Sequence, residues 1–407
     1  MPCVAYLVNV FPSSVEPYVI EEIQELRKWG ITVIPCSVRR PSPQLGADLT
    51  SWAQQTLYIE PLRFRLLVHA GWLCLLKFAR LSTFVLRALS RRGSNERRLR
   101  ALLHTFLGVY YGLLLRDRGV GHIHVHHGYF GSWLTMVAAQ VLEIPFSMTL
   151  HGSDLLVHAA YLDIKLRQCQ FCVTVSEFNR RHIIETYSEA DPGKIHVRRL
   201  GIDCRATARL RPRRADTPLL MLAVGRLHPV KDHAFLVRAC RLLKSRGLKF
   251  TCSIVGEGPE RPSLEKLIRA LDLEREARLL GGLAHGEISE QYERSDLVVL
   301  TSRSEGIPLV LMEAMARGTL VLAPAITGIP ELVVDGRTGF LYQPGSMDAF
   351  VAQVELINSV RCGLTDLRRN ARQHVFQHFN CERNVLAFCE LLLSSLRARA
   401  AKTSIAA

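Results

Sequence analysis

The chain has 407 residues, about twice the length of one ordinary domain, so two units with a core each are expected and a small stapled scaffold is excluded. Apolar residues make up 48% and charged residues 22%, the balance of a folded soluble chain, with no biased or repeated tract to suggest disorder, collagen or a solenoid. A formal charge of +15 favours anionic partners such as phosphates, nucleic acid or acidic lipid headgroups, without choosing among them.

The start, Met1-Pro2-Cys3-Val4-Ala5-Tyr6-Leu7-Val8, has no basic leader and no small-residue cleavage site. It reads as a first strand, and the expected location is the cytosol. From there β-branched runs alternate with amphipathic stretches, the pattern of βα units and a parallel sheet. Strands are predicted at residues 4–10, 31–37, 122–125, 146–150, 171–175 and 195–199, with a helix over 17–29. Between residues 61 and 118, twelve Lys or Arg face two acids, so this stretch carries +10 of the total charge. Phe64, Trp72, Leu75 and Phe84 are interleaved with the charges, yet no charge-free run here, 66–76 included, reaches the roughly 20 apolar residues that cross a bilayer. Either an interfacial helix on anionic lipid or a pair of core helices with a solvated basic face fits this segment.

Around residues 204–218 the periodicity stops in an Arg- and Pro-containing stretch, read as a linker. A second series of strands follows at 219–224, 250–255, 277–280, 297–300 and 320–323, and helical patterns at 364–379 and 382–396 close the chain. Two open α/β sheets of this kind place ligands at the carboxyl ends of their strands. The eleven cysteines lie mostly in apolar runs. They suit buried thiols rather than a disulfide framework, and the lone Cys169-x-x-Cys172 lacks a second ligand pair for a metal. His122, His124 and His126 share one strand face with no acid close in sequence, so no metal site is assigned.

Several motifs fall at strand ends. Leu297-Val298-Val299-Leu300 runs into Thr301-Ser302-Arg303-Ser304-Glu305-Gly306 and then a helical stretch ending at Gly318, with Pro308 at the first helical position. The unpaired amides near Leu309 and Val310 suit a diphosphate. Glu305 and Glu313 bracket that turn, roughly 12 Å apart if the segment were wholly helical. Gly225-Arg226-Leu227 and Lys231 supply a fork and a point charge for phosphate oxygens. Gly256 in Val255-Gly256-Glu257-Gly258-Pro259 permits close backbone approach, beside a base for instance. In the first half, Thr149-Leu150-His151-Gly152-Ser153-Asp154 places His151 at a strand tip, able to meet a sugar hydroxyl.

Together with Gly201-Ile202-Asp203, these motifs resemble the retaining glycosyltransferases of family 4, which have the GT-B fold of two Rossmann-like domains facing across a cleft, with a final helix crossing back to the first. The resemblance covers nearly the whole chain. It implies an acceptor domain over 1–204, a nucleotide-sugar donor domain over 205–379, and a crossover helix at 380–400. It also implies that Arg226 and Lys231, with Gly225, Gly256, Gly306, Leu309 and Val310 about them, hold the donor diphosphate. By the same resemblance Glu305 takes the sugar hydroxyls, Glu313 takes the ribose, and His151 approaches the sugar. Catalysis without metal or other cofactor is implied, with retention of configuration and the leaving phosphate helping to deprotonate the acceptor. The first loop departs from the family's Gly-rich form, since no glycine lies between Met1 and Trp29. It is similar to the Ser-x-x-Glu start of exopolysaccharide-type members, which makes Glu16, with Asp154, an acceptor-side residue. The expected partners are a nucleotide-sugar donor, a glycan or polyprenyl-linked acceptor and an anionic membrane surface at the inner face of the cell membrane. Nucleic acid is not expected. Epimerases and phosphorylases of the same fold, and a polyanion-binding module, stay open as alternatives.

Overall fold

The computed structural model describes residues 2–13, 16–41, 47–90, 95–157, 159–204 and 217–405. The expected linker lies almost wholly outside the described residues, as do Arg91 and Arg92 of the basic segment. The chain divides into two compact units, Met1–Arg198 with Val385–Ala407, and Arg199–Asn384.

The first unit is built on a sheet of seven parallel strands, β1 (Cys3–Val10), β2 (Thr32–Arg39), β3 (Leu57–Tyr58), β4 (His122–His126), β5 (Phe146–Leu150), β6 (Cys172–Thr174) and β7 (Ile195–Val197). Their spatial order is β3-β2-β1-β4-β5-β6-β7. The order reverses between β1 and β4, so loops leaving the carboxyl ends of these neighbours diverge there. Parallel strands covered on both faces are expected to be apolar throughout. β4 is fully buried yet carries His122, His124 and His126. The histidines are accommodated by β5, whose Ser147 hydroxyl lies 2.7 Å from His122 Nε2 and 2.8 Å from His124 Nδ1, while Thr149 Oγ1 lies 3.1 Å from His124 Nε2. The last helix, Cys381–Ile405, belongs to this unit from Val385 onward, and its Phe388 sets an edge against His124 with ring centres 5.0 Å apart.

The second unit carries six parallel strands, β8 (Leu219–Val224), β9 (Phe250–Val255), β10 (Ala277–Gly281), β11 (Leu297–Val299), β12 (Leu320–Pro324) and β13 (Phe340–Tyr342), in the order β10-β9-β8-β11-β12-β13. Here the reversal falls between β8 and β11. One expectation shifts: Pro308 is the N-cap of the helix Leu309–Ala316 rather than its first residue, with extended backbone (φ −76°, ψ 121°). Residues 305–308 are therefore not helical, and the spacing estimated for a continuous helix from Glu305 to Glu313 does not apply.

Two glycines explain their motifs by close approach. A Cβ at Gly201 would meet the backbone of Cys381 at 2.4 Å, where Ile202 and Asn380 form a parallel bridge. At Gly256, φ is +144° and a Cβ would sit 2.0 Å from the carbonyl oxygen of Gly225, backbone that cannot yield. This contact lets the turns after β8 and β9 lie against each other, with Gly225 N–H donating to Val255 O at 2.9 Å. Gly256→Ala is expected to destabilise the second unit by about 2 to 4 kcal/mol through strain and overlap, read as a lower denaturant midpoint at unchanged slope.

Candidate functional site

Each unit gathers its polar groups at the strand-order reversal. In the first unit, β4 ends at His126 and the next residue, His127, adopts a left-handed backbone (φ +71°), which is strained for a side chain of this kind. The loop is pinned from both sides. Asp154 is fully buried, and its carboxylate accepts from Gly128 N–H at 2.8 Å, Gly152 N–H at 2.7 Å and His151 N–H at 3.1 Å. Beneath, the buried ammonium of Lys165 donates to the carbonyls of Gly128 (2.7 Å), Ala160 (2.8 Å) and Tyr129 (3.1 Å). Burial pulls that ammonium down to about 7, partly opposed by the charge of Asp154. Asp154 thus sits behind the loop as its anchor rather than on an acceptor-facing surface.

Glu16, at the start of the helix Pro17–Lys28, lies 2.8 Å from His127 Nε2, and Asp154 lies 3.7 Å from Nδ1. Burial alone would push the His127 imidazole down; the two carboxylates outweigh it and hold it up at about 10. Burial likewise works against Glu16, but the bond to His127 leaves its carboxyl below the usual range. His151 has the opposite fate. Burial, together with the neighbouring His127 and His126, holds it well below the ordinary histidine range, so it is neutral at pH 7. Its ring lies 4.6 Å from that of His127 and 4.9 Å from that of Tyr18.

Behind His151, His126 Nδ1 lies 3.0 Å from His151 Nε2, and His126 Nε2 lies 3.1 Å from Glu22 Oε2 and 3.0 Å from the Tyr6 hydroxyl. Tyr6 donates a short hydrogen bond to Glu22. Ligand atoms of Glu22, His124 and His126 lie within 4.8 Å of one another, a spacing compatible with a metal ion. Both ring nitrogens of each histidine are already engaged by Ser147, Thr149, His151, Tyr6 or Glu22, so an ion there would cost these bonds. Glu22, Tyr6 and Lys165 were not singled out from the sequence. Glu22 does carry a signal: it falls on the stripe of Tyr18, Val19, Ile23 and Leu26, the buried face of its helix.

In the second unit, Lys231 Nζ and Glu305 Oε1 lie 2.5 Å apart, bringing together residues from the loops after β8 and β11. Thr301 Oγ1 donates to Lys231 O (3.0 Å), Arg303 N–H to Val230 O (2.9 Å) and Thr327 Oγ1 to Glu305 O (2.7 Å). Asp232, left-handed at φ +49°, caps the helix His233–Ser245 through Phe235 N–H and accepts from Arg303 Nε at 2.7 Å. Arg226 is exposed on the same loop. Gly306 lies in the turn before the helix Leu309–Ala316, whose first amides, Leu309 and Val310, have no intrahelical acceptor. Glu313 lies on that helix beside the Tyr292 hydroxyl, which burial and this carboxylate push up. Cys169 and Cys172 are buried free thiols in the first unit's core.

The His127 pair gives a pH-dependent test. His127 is protonated in the folded chain up to about 10 and only to about 6.5 when unfolded, so its contribution is complete below the lower value and lost as pH rises through the upper. His127→Gln, which leaves the buried Asp154 and the half-buried Glu16 without their cation, is expected to cost about 3 kcal/mol at pH 6. The gap from wild type in denaturant titrations should narrow steadily between pH 7 and 10.

Residues 15–206 match the family described as Glycosyltransferase Family 4, and residues 205–374 the family described as Glycosyl transferases group 1. Over 196 residues the chain is 33% identical to the putative colanic acid biosynthesis glycosyltransferase WcaL of Salmonella typhimurium, covering 46% of this chain and 48% of that one. Over 270 residues it is 30% identical to the amylovoran biosynthesis glycosyltransferase AmsK of Erwinia amylovora, covering 63% and 66%. The matched region thus spans about half to two thirds of the length of these relatives. Among solved structures, a glycosyltransferase from Rickettsia africae superposes with a TM-score of 0.71 at 21% identity, over 97% of this chain and 99% of that one. HepE of Anabaena, solved in complex with UDP, gives 0.71 at 18%, over 97% and 100%. At such identities the likeness is one of fold. The family matches run consecutively from residue 15 to residue 374 over a fold shared along nearly the whole chain, and the protein belongs to the family 4 glycosyltransferases of GT-B fold.

Proposed function

We propose that the chain transfers a sugar, with retention of configuration, from a nucleotide-diphosphate donor to a glycan or polyprenyl-linked acceptor in cell-surface polysaccharide assembly. The observation that carries this reading is the Lys231–Glu305 pair at the strand-order reversal of the second unit. The two groups neutralise each other at 2.5 Å. A diphosphate competes for the ammonium, and sugar hydroxyls then take the carboxylate. Arg226 and the first amides of the helix Leu309–Ala316 add fixed positive charge, and Gly225, Gly256 and Gly306 allow close backbone approach. Glu313, further along the helix, suits the ribose hydroxyls.

In the proposed reaction the bond from the anomeric carbon to the diphosphate breaks as the acceptor oxygen bonds that carbon on the same face, and the acceptor proton passes to the departing diphosphate. Positive groups already in place stabilise the charge that grows there. They meet the diphosphate's charge without a metal ion in this reading. His151, neutral at a strand tip, attends the sugar, and Glu16 belongs to the acceptor side. Nothing in the family matches favours an epimerase, a phosphorylase or a nucleic-acid module. The relatives' names, which concern colanic acid and amylovoran, support a polysaccharide product of this general class.

The membrane part of the reading rests on the first unit alone. No helix among the described residues is long and apolar enough to cross a membrane. The helix Phe64–Leu76 nevertheless turns Phe64 (79% exposed), Val68, Trp72 (61%), Leu75 and Leu76 outward while burying Ala70 and Leu73. Phe78, Leu86, Leu99 and Leu103 on the next two helices are also exposed. These exposed apolar side chains support the interfacial reading over that of core helices with a solvated basic face. Exposed Arg63, Arg65, Arg97 and Arg100 accompany it, each adding about 1 kcal/mol of attraction near an anionic bilayer.

In a thermal-shift screen of UDP, GDP, ADP and their sugar conjugates, one nucleotide family should raise the unfolding temperature, by the equivalent of about 2.7 kcal/mol at a hundredfold excess over Kd. Arg226→Ala should abolish the shift. Lys231→Ala and Glu305→Ala should each cut kcat/KM for the responding donor by about a hundredfold or more, while Cys172→Ser stays near wild type. No shift with any nucleotide overturns the donor assignment. For the membrane part, the double variant F64E/W72E should lose co-sedimentation with phosphatidylglycerol vesicles yet keep turnover on a water-soluble acceptor. Unchanged sedimentation would refute it.

A further inference from the structure

We infer that His233 is a positioning residue for the donor site: when a nucleotide diphosphate engages Arg226, an imidazole N–H of His233 closes a hydrogen bond to a carbonyl of the Gly225–Arg226 turn and fixes the backbone that carries the arginine. This deepens the proposed role of Arg226 and rests on that reading.

The turn after β8 is tied to the β9 side by its backbone. Gly225 N–H donates to Val255 O and Leu227 N–H to Glu257 O, both at 2.9 Å, and Leu227 O accepts from Glu260 N–H at 3.1 Å. On the side of the helix His233–Ser245 the turn meets the ring of His233, the first residue of that helix and only 3% exposed. Nε2 of this ring lies 3.8 Å from the point where a Cβ on Gly225 would stand, and the stem of Lys231 lies 3.7 Å from the same point. The carbonyls of Arg226 and Gly225 are near enough to favour a proton on the ring, against the larger effect of burial, yet neither ring nitrogen has a partner at hydrogen-bond geometry.

A buried polar group left unpaired has given up water and gained nothing, so a small movement that pairs it is favoured. The direction of the bond does not depend on the charge of the ring. An imidazole keeps at least one N–H whether neutral or protonated, and a backbone carbonyl only accepts. Arg226 O already accepts from His228 N–H at 2.9 Å and has a second lone pair to offer. The movement also has a cause in the proposed site. Lys231 and His233 flank Gly225 on one side, so a diphosphate shared by Arg226 and Lys231 draws the turn toward both. A ligand favours the arrangement that it contacts better, and the bond to His233 then adds to the affinity of the donor. An apolar side chain of similar size at 233 removes that gain without exposing a new unpaired group. It should therefore spare the free protein and weaken the complex, whereas a histidine that only holds the fold together would show the reverse.

The test uses the full chain, with titration calorimetry of UDP, GDP and ADP on wild type, His233→Leu and His233→Gln, and denaturant midpoints of the three without nucleotide. The midpoint of His233→Leu should equal or exceed that of wild type. Its Kd for the nucleotide that wild type binds should rise about fivefold to tenfold, the worth of one hydrogen bond. With the matching nucleotide sugar, KM should rise in step while kcat holds, as for an interaction kept from ground state to transition state. His233→Gln, whose amide N–H stands near the former Nε2, should restore most of the affinity. A lower midpoint in His233→Leu, or its failure to fold, means that the ring is already bonded in the free protein and overturns the inference. So does a His233→Gln as weak as His233→Leu. An unchanged Kd in His233→Leu overturns it too and leaves the donor reading standing, whereas a wild type that binds no nucleotide removes the donor reading and the inference together.

Discussion

A parallel strand must give up its chain to a loop at its carboxyl end, and where the order of strands reverses two such loops part company. That constraint organises both units. The reversal lies between β1 and β4 in one and between β8 and β11 in the other. His127 and Glu16 meet at the first, Lys231 and Glu305 at the second. Each loop also contains a left-handed residue that is not glycine, His127 or Asp232. Such conformations persist only when the surroundings over-determine them. Here Asp154 and Lys165 clamp the first loop by its amides and carbonyls, and Asp232 holds the second through its own cap and Arg303.

The two units differ in where they keep polarity. The second has an apolar sheet interior and places its charged groups at strand ends. The first carries a polar seam inside the sheet, from His122 through Ser147 and His124 to Thr149, with His126, Glu22 and Tyr6 beside it. Such a network is worth keeping only when nearly every member is satisfied, because an unpaired buried polar group is costly. In return the low dielectric makes each hydrogen bond within the seam stronger than it would be in water.

The sequence displayed most of the sheet and little of the pairing. Strands 146–150, 219–224 and 250–255 were legible to the residue, being short runs of apolar, β-branched and small residues closed by turn residues. β3 and β13, two and three residues long, were not. Runs so short have no period, and these strands exist because β2 and β12 offer an edge to pair with. Lys231 and Glu305 were visible as separate strand-end residues, but 74 positions separate them and no spacing rule joins them. Lys165 was not legible, lying in a short helix where Leu162, Ile164 and Leu166 are buried with it. Burial of the charge follows from loop carbonyls supplied by Gly128 and Tyr129, far away in the chain.

The basic segment shows why composition alone left two readings open. Counting charges placed +10 there, but charge count does not say which side of a helix meets solvent. Phe64, Val68, Trp72, Leu75 and Leu76 recur at helical spacing, and so do Ala70 and Leu73, a few positions round the same helix. A helix apolar on both sides needs cover on both. The first unit covers one side and leaves the other exposed. An acceptor carried on a polyprenyl chain reaches an enzyme only at the bilayer, where its glycan extends into water and its tail does not. In the proposed reading, an exposed apolar face with arginines on the same helices, on the unit that also carries Glu16 and His151, is what both halves of such a substrate call for.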